Sequence, residues 1–382
     1  EIYTLSLHDA LPIFSLTLGG DDGIAVAYAL AILDDDSLSH PRLEFVCTVC
    51  EEVGMEGATG IDVSMLKGKK LLNMDSEEEG VMLASCAGGC RADVKLPVER
   101  ETVSGTKLTV SLSGLTGGHS GSEIDKGRGN ANTLMSRLLR DASAPVAIAS
   151  IDGGRKDNAI PRECTAQIIV APDEAAAVKA SIEQAAAEIA EEFKASDPDL
   201  KLTVSEETDC SESAISAKDS ARVIALIEAL PNGIIRMSRE IDKLVETSLN
   251  LGVLKSDDAA VTLRYAVRSS VGVAKKSLKN PLVCIAGAFA AEVTFEGDYP
   301  AWEYKKDSKL REDMVRIFEE MYGKKPTVEA IHAGVECGLL SGKIEGLDCI
   351  SMGPDMYDIH TTEERLSISS AKRSYEYILR VI

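Results

Sequence analysis

The chain has 382 residues, enough for two domains, and its 45% hydrophobic and 27% charged content is that of an ordinary soluble globular protein. A formal charge of −21 with no Lys/Arg cluster excludes nucleic acid or an anionic membrane surface as a partner. No apolar run reaches the roughly 18 residues of a membrane span, nothing resembles a signal peptide, and nine irregularly spaced cysteines in a chain too large to need disulfides fit a reduced, cytoplasmic setting.

Residues 1–14, EIYTLSLHDALPIF, lack an initiator Met, do not join naturally to the stretch after them, and read as a non-native segment. From Thr17 the text becomes TLGGDDGIAVAYALAILDDD: a glycine turn, Asp21 and Asp22, then a helix so apolar that it is expected to be buried. Acids at that point satisfy the free N–H groups of a helix N-terminus. Residues 43–60, LEFVCTVCEEVGMEGATG, read as a buried strand delivering Glu51 and Glu52 at its C-terminal end, before a glycine-punctuated turn. Open α/β sheets bind ligands in the crevice outside the carboxyl ends of their strands, so acids there are candidates for chemistry. Cys47 and Cys50 would point to opposite faces of that strand and are read as core thiols. A second short apolar run, 71–74, ends in Asp75, and Glu77, Glu78 and Glu79 after it read as a solvated acidic stretch. Cys86 and Cys90 flank a Gly-Gly turn.

From about Ala92 strand-like alternation (KLTVSLSGL, TAQIIVAP) interleaves with Ala/Glu-rich helices (EAAAVKASIEQAAAEIAEEF), the pattern of a separate α+β unit. Its loops carry His119 in GLTGGHSGSEIDKGRGNAN, Asn158 in DGGRKDNAIPR and Arg268 in LRYAVRSSV. The tail from about 298 reads as helix, loop, strand and helix, with His360 a short loop after a strand at 348–352. The expected fold is therefore α/β: a catalytic domain (15–91 and 298–382) with a mostly parallel sheet flanked by helices, interrupted by an inserted α+β lid domain (92–297).

Asp21, Glu51, Glu52, Asp75 and His360 fall at equivalent places, at the ends of sheet strands or in the segments just beyond them. An oxygen-rich set with one imidazole suits a pair of divalent ions, which needs a carboxylate between the metals, terminal ligands on each, and a spare base for the attacking water.

Read in order, TLGGDDG, CEEVGMEGA, LLNMDSEEEG, GGHSG, NAIPR, VRSS, HAGVECG and GPDMYDIHTTEERLS resemble the successive motifs of the Xaa-His dipeptidases, cytosolic members of the dinuclear-zinc M20 metallopeptidases, from Thr17 to the end. The resemblance implies Asp21 as bridging carboxylate, Glu52 and His360 completing one zinc site, and Asp75 holding the other zinc, with cobalt or manganese as substitutes. It implies Glu51 as general base, His119 reaching from the lid to stabilise the oxyanion, and Asn158, Arg268 and the Gly334 backbone binding a small peptide substrate. Homodimerisation through the lid is a further family expectation.

The family's first metal ligand, a histidine in an HxD motif several dozen residues before the bridging aspartate, is not found. His8 lies 13 residues before Asp21 and is followed directly by Asp9. The expectation is an N-terminally truncated chain whose second metal keeps only Asp21 and Asp75. Competing readings are another M20 activity, tripeptide aminopeptidase or amino-acid deacylase, and a metal-binding chain without catalysis.

Overall fold

The computed structural model describes residues 18–51 and 54–382. The expectations placed on residues 1–14, on His8 and Asp9, and on Glu52 lie outside the described residues. The chain divides into two compact units, one formed by the residues up to Ala87 together with Pro300–Ile382, the other by Gly88–Tyr299. The first crossing falls at 87/88, ahead of the 91/92 read from the sequence, because Gly88–Pro97 is one continuous strand that pairs along its length within the second unit.

The first unit is built on a four-stranded sheet in the order Lys70–Asn73, Asp348–Ser351, Val81–Cys86, Thr327–Ile331. Lys70–Asn73 runs parallel to Asp348–Ser351, and Val81–Cys86 parallel to Thr327–Ile331; the two pairs meet antiparallel at Ser351 and Leu83. Successive residues of a strand face opposite sides. Leu72 and Ile350 thus join a core with Tyr28, Ile32, Met314, Phe318 and Tyr377, while Leu71 and Cys349 join another with Cys86, Trp302 and Cys337. Helices Gly20–Asp34, Lys309–Tyr322 and Ile368–Val381 supply the first core and Glu336–Lys343 the second, so both faces of the sheet are covered. Ser308 and Ser367 cap the second and fourth of these helices in chain order, accepting from Arg311 N (3.1 Å) and Ser370 N (3.3 Å).

Three expectations need correction here. Residues 43–50 form no strand. A strand exists through its pairing, and Lys70–Asn73 ends the sheet order with no outer neighbour among the described residues, so apolar content alone leaves 43–50 a loop, with Val49 69% exposed. Cys47 and Cys50 are accordingly exposed, not core thiols. The Gly20–Asp34 helix buries only the face bearing Tyr28 and Ile32; Leu30 and Leu33 are 61% and 65% exposed, because one side alone meets the core.

The second unit is an antiparallel sheet in the order Glu292–Tyr299, Gly88–Pro97, Ala260–Ser269, Val245–Ser256, Ala147–Gly153, Cys164–Val170, Arg100–Ser113, Lys201–Ile215, with Gly233–Met237 also pairing Val245–Ser256. Helices Ala131–Arg140, Ala175–Phe193, Ala217–Ala229 and Gly272–Ala288 lay Leu134, Leu138, Val178, Ile182, Leu226 and Leu282 onto one continuous core with the strand residues. All nine cysteines are free, and among the described residues no helix is long and apolar enough to cross a membrane. Burial pushes the Cys86 thiol up to about 11 and raises Cys90, so both are held as neutral thiols.

Candidate active site

In the first unit the opening turn of the Gly20–Asp34 helix carries Asp21 and Asp22, neither with helical backbone angles (φ/ψ −90°/105° and −111°/35°). The expected capping role falls to Asp22 alone, whose carboxyl accepts the Ala25 N–H, while the N-cap position is Gly19 and has no side chain to offer. The backbone N–H groups of Gly19, Gly20 and Asp21 instead donate to the carboxylate of Glu364, at 3.0, 2.8 and 3.2 Å. Asp21 is left to face His360, whose Nε2 lies 3.1 Å from Asp21 Oδ2 across 339 residues of sequence. His360 stands on the loop between the paired segments Met356–Tyr357 and Arg365–Leu366, a loop tied by an ion pair between Arg365 and Asp358.

Around this pair the first unit gathers acid. Asp75, just past the Lys70–Asn73 strand, is pushed up to about 8, first by burial and then by the carboxylates of Glu51, Asp21, Asp22 and Glu336. Asp22 is pushed up to about 7, chiefly by burial; a hydrogen bond from the Ala25 N–H opposes the shift, and Asp21, Glu336 and Glu51 add to it. Its Oδ1 is buried without a hydrogen-bond partner among the described residues. Glu51 does not leave a strand: it sits in a turn in which Gly54 N and Met55 N donate to its carbonyl at 3.1 and 2.9 Å, directly after Cys50 with φ 58°. Among the described residues no three His, Cys, Asp or Glu side chains stand close enough to hold a metal ion, Glu52 lying outside them. The chemistry of the donor set nevertheless fits a divalent cation, since every charged group that dominates the shift of Asp75 is another carboxylate, and an imidazole stands against Asp21.

Three acids were missed or misread. Glu336 takes a hydrogen bond from Thr48 Oγ1 (2.7 Å) and bears on both raised aspartates; the HAGVECG stretch was its signal. Glu364 sits four residues after His360 in a polar loop that reads as solvated, yet is 5% exposed. Glu79, read as part of a solvated stretch, is half-buried and bidentate to Arg373 (2.7 and 2.5 Å), and Asp355 accepts its N–H. Burial raises its carboxyl, but hydrogen bonds from Arg373 and Ser370 outweigh that and lower it. Gly334 lies in the bend ahead of the Glu336–Lys343 helix, half-buried.

In the second unit His119 and Asn158 stand on adjoining segments: Gly118–His119 pairs Ala159–Ile160, and Ser120 N donates to Asn158 O (2.8 Å). Asn250 fixes the second segment by donating to Asp157 O and Ala159 O (3.0 and 2.8 Å), and is itself held by Asn130 Nδ2 (3.1 Å). The His119 Nδ1 accepts from Gly121 N and Ser122 N (3.3 and 3.1 Å). A ring nitrogen that accepts two backbone N–H groups carries no proton, so the neutral ring bears its hydrogen on Nε2 and is a donor there. Burial, followed by the positive Arg268, lowers its pKa and favours the same neutral state. Arg268, on the Ala260–Ser269 strand, is 8% exposed; Nη1 donates to Tyr299 OH (3.2 Å), and Nε is buried with no partner among the described residues.

Residues 110–197 match the model of a peptidase dimerisation domain. The chain is 36% identical over 358 residues to the cytosol non-specific dipeptidase of Escherichia coli (strain K12), covering 93% of this chain and 74% of that one. It is also similar to the crystal structure of the aminoacylhistidine dipeptidase from Vibrio alginolyticus, at 33% identity and a TM-score of 0.86, covering 95% of this chain and 75% of that one.

Proposed function

The chain belongs to the dipeptidases of the M20 metallopeptidase family, and we propose that it hydrolyses unblocked dipeptides, Xaa-His dipeptides among them, with two divalent metal ions, zinc in the first place and cobalt or manganese as substitutes. The observation that carries this reading is the crowding of carboxylates on Asp75 beside the Asp21 and His360 pair. Left to itself that cluster repels, and a cation relieves it. Asp21 would bridge the ions, Glu52 and His360 would complete one site, and Asp75 would hold the other. When bound, such a pair supplies Lewis-acid activation of water and of the scissile carbonyl.

Glu51, whose carboxylate is among the charges that bear on Asp75, takes the proton of the attacking water and hands it to the leaving amine. His119 offers Nε2–H to the oxygen that gains charge, the arrangement that neutral imidazole with an accepting Nδ1 permits. Arg268 binds the substrate's terminal carboxylate, for which its Nε, buried and without a partner among the described residues, is the support. Asn158 and the Gly334 backbone hold the peptide. The likeness of 110–197 to a dimerisation domain supports a homodimer, and the relative's name together with the free thiols supports a cytoplasmic setting.

The test is a panel of dipeptides, C-terminally amidated dipeptides, tripeptides and N-acyl amino acids, run with and without a chelator. We expect chelator-sensitive cleavage of dipeptides alone, with KM for the amides raised about 10- to 100-fold, the range for losing hydrogen bonds to a charged group. Faster cleavage of tripeptides or N-acyl amino acids, or indifference to the chelator, would overturn it.

A further inference from the structure

A buried carboxylate is costly unless donors satisfy it, and Glu364, 5% exposed, is satisfied by backbone N–H groups. Its Oε2 takes Gly19 N, and its Oε1 takes both Gly20 N and Asp21 N. Gly19 adopts φ 73°, a left-handed turn that lets consecutive N–H groups converge on one anion. Gly20 is where the carboxylate comes closest: a Cβ there would stand 3.2 Å from Glu364 Oε1 and 3.6 Å from Met356 Sδ. The glycine pair of the LGGDDG stretch is thus shaped to receive an acid more than 340 residues away in sequence.

We propose that Glu364 is a positioning residue for metal binding: it holds the 19–21 turn in the one backbone conformation that turns the Asp21 carboxylate toward His360. The inference rests on the reading of Asp21 and His360 as metal ligands. One loop does both jobs. It presents the His360 imidazole to Asp21 Oδ2 and, four residues later, grips the N–H of Asp21 itself. The loop is closed at its base by the pairing of Met356–Tyr357 with Arg365–Leu366, so the two contacts cannot drift independently. Asp21 has non-helical angles at a helix start, a geometry that helix propagation would not maintain without an external anchor. The charge is also well placed, since an anion at a helix N-terminus is favoured by the helix dipole.

The experiment uses the full chain with Glu364→Ala and Glu364→Gln, zinc as the metal probe in competition with a chelator, and amide hydrogen exchange of residues 19–21 in the metal-free protein. For Glu364→Ala we expect faster exchange at those amides and zinc affinity lowered about 10- to 100-fold, the effect usual for groups that orient a metal ligand. Glu364→Gln keeps the shape and one acceptor oxygen, so it should stay folded and fall between parent and Ala in both readouts. Unchanged exchange in Glu364→Ala, or zinc affinity within about twofold of the parent despite faster exchange, would overturn the proposal, the latter leaving only a helix cap. A parent that binds no zinc overturns the metal reading, and the positioning role with it. A zinc-binding parent beside an indifferent Ala variant overturns the positioning role alone.

Discussion

Burial drives Asp75 in the first unit and His119 in the second toward the same electrical state, the neutral one, but their neighbours differ. Around Asp75 the dominant charges are carboxylates, so burial and repulsion act together and the cluster is short of positive charge. Around His119 the positive charge of Arg268 repels the protonated ring, the negative Glu123 opposes it more weakly, and backbone N–H groups already occupy Nδ1. One region is chemically incomplete without a cation, whereas the other offers finished hydrogen-bond donors. That difference separates the two kinds of work in peptide hydrolysis: activating water, and recognising a substrate whose charge builds on oxygen.

The comparison is most exposed to Glu51→Gln. If the carboxylates divide into ligands and a base, this variant should keep its bound metal and lose about 10²- to 10⁴-fold in kcat, the usual worth of a positioned general base. Metal per chain and turnover of one dipeptide, measured on the same preparation, decide it. A variant that sheds metal while retaining turnover would make Glu51 a ligand and return the base to another acid.

A second, smaller effect separates repulsion from ligation. With its carboxyl pushed up to about 8, folded Asp75 must hold at neutral pH a proton that it would release in the unfolded chain, and Asp75→Asn removes that cost. The metal-free protein should therefore melt at a higher temperature than the parent, although zinc binding weakens at least about tenfold, the lower end of what even a change one shell farther out produces. Calorimetry with chelator, and again with zinc, reads both. A metal-free variant that melts lower would mean that the acids are not crowded and that Asp75 serves the fold.

Legibility in the sequence is a matter of range. The runs ending in Asp75 and the run at 348–352 could be read because their apolar patterns are local, and they do lie side by side, Lys70 against Asp348 through Asn73 against Ser351. Residues 43–50 have the same apolar pattern and form no strand, because pairing depends on a neighbour that composition does not reveal. Glu364 was illegible for a related reason. In TTEERLS it resembles any solvated acid, and only its contact with Gly19, Gly20 and Asp21 gives it a meaning. Glu336 and Glu79 likewise take their roles from partners far away in sequence, Thr48 for the one and Arg373 for the other.

The smallest effect concerns the second region, and its sign is fixed by the direction of the His119 shift. Burial and Arg268 lower the pKa of the folded ring from its ordinary 6.5, so the unfolded chain takes up this proton at a higher pH than the folded one. Below about pH 6.5 the unfolded state then binds more protons, and stability contributed at neutral pH is lost as the pH falls toward the folded value. One such group gives a slope of at most about 1.4 kcal/mol per pH unit. His119→Asn keeps an acceptor near the place of Nδ1 for Gly121 N and Ser122 N but cannot titrate, so the loop should survive while the slope disappears. Denaturant unfolding of the parent and the variant at several pH values from about 5 to 7.5 tests this against the one-proton limit. Parallel curves would mean that the folded ring takes its proton as readily as the unfolded one. The second region would then carry positive charge of its own in acid, and the contrast with the Asp75 cluster would be one of sign instead of completeness.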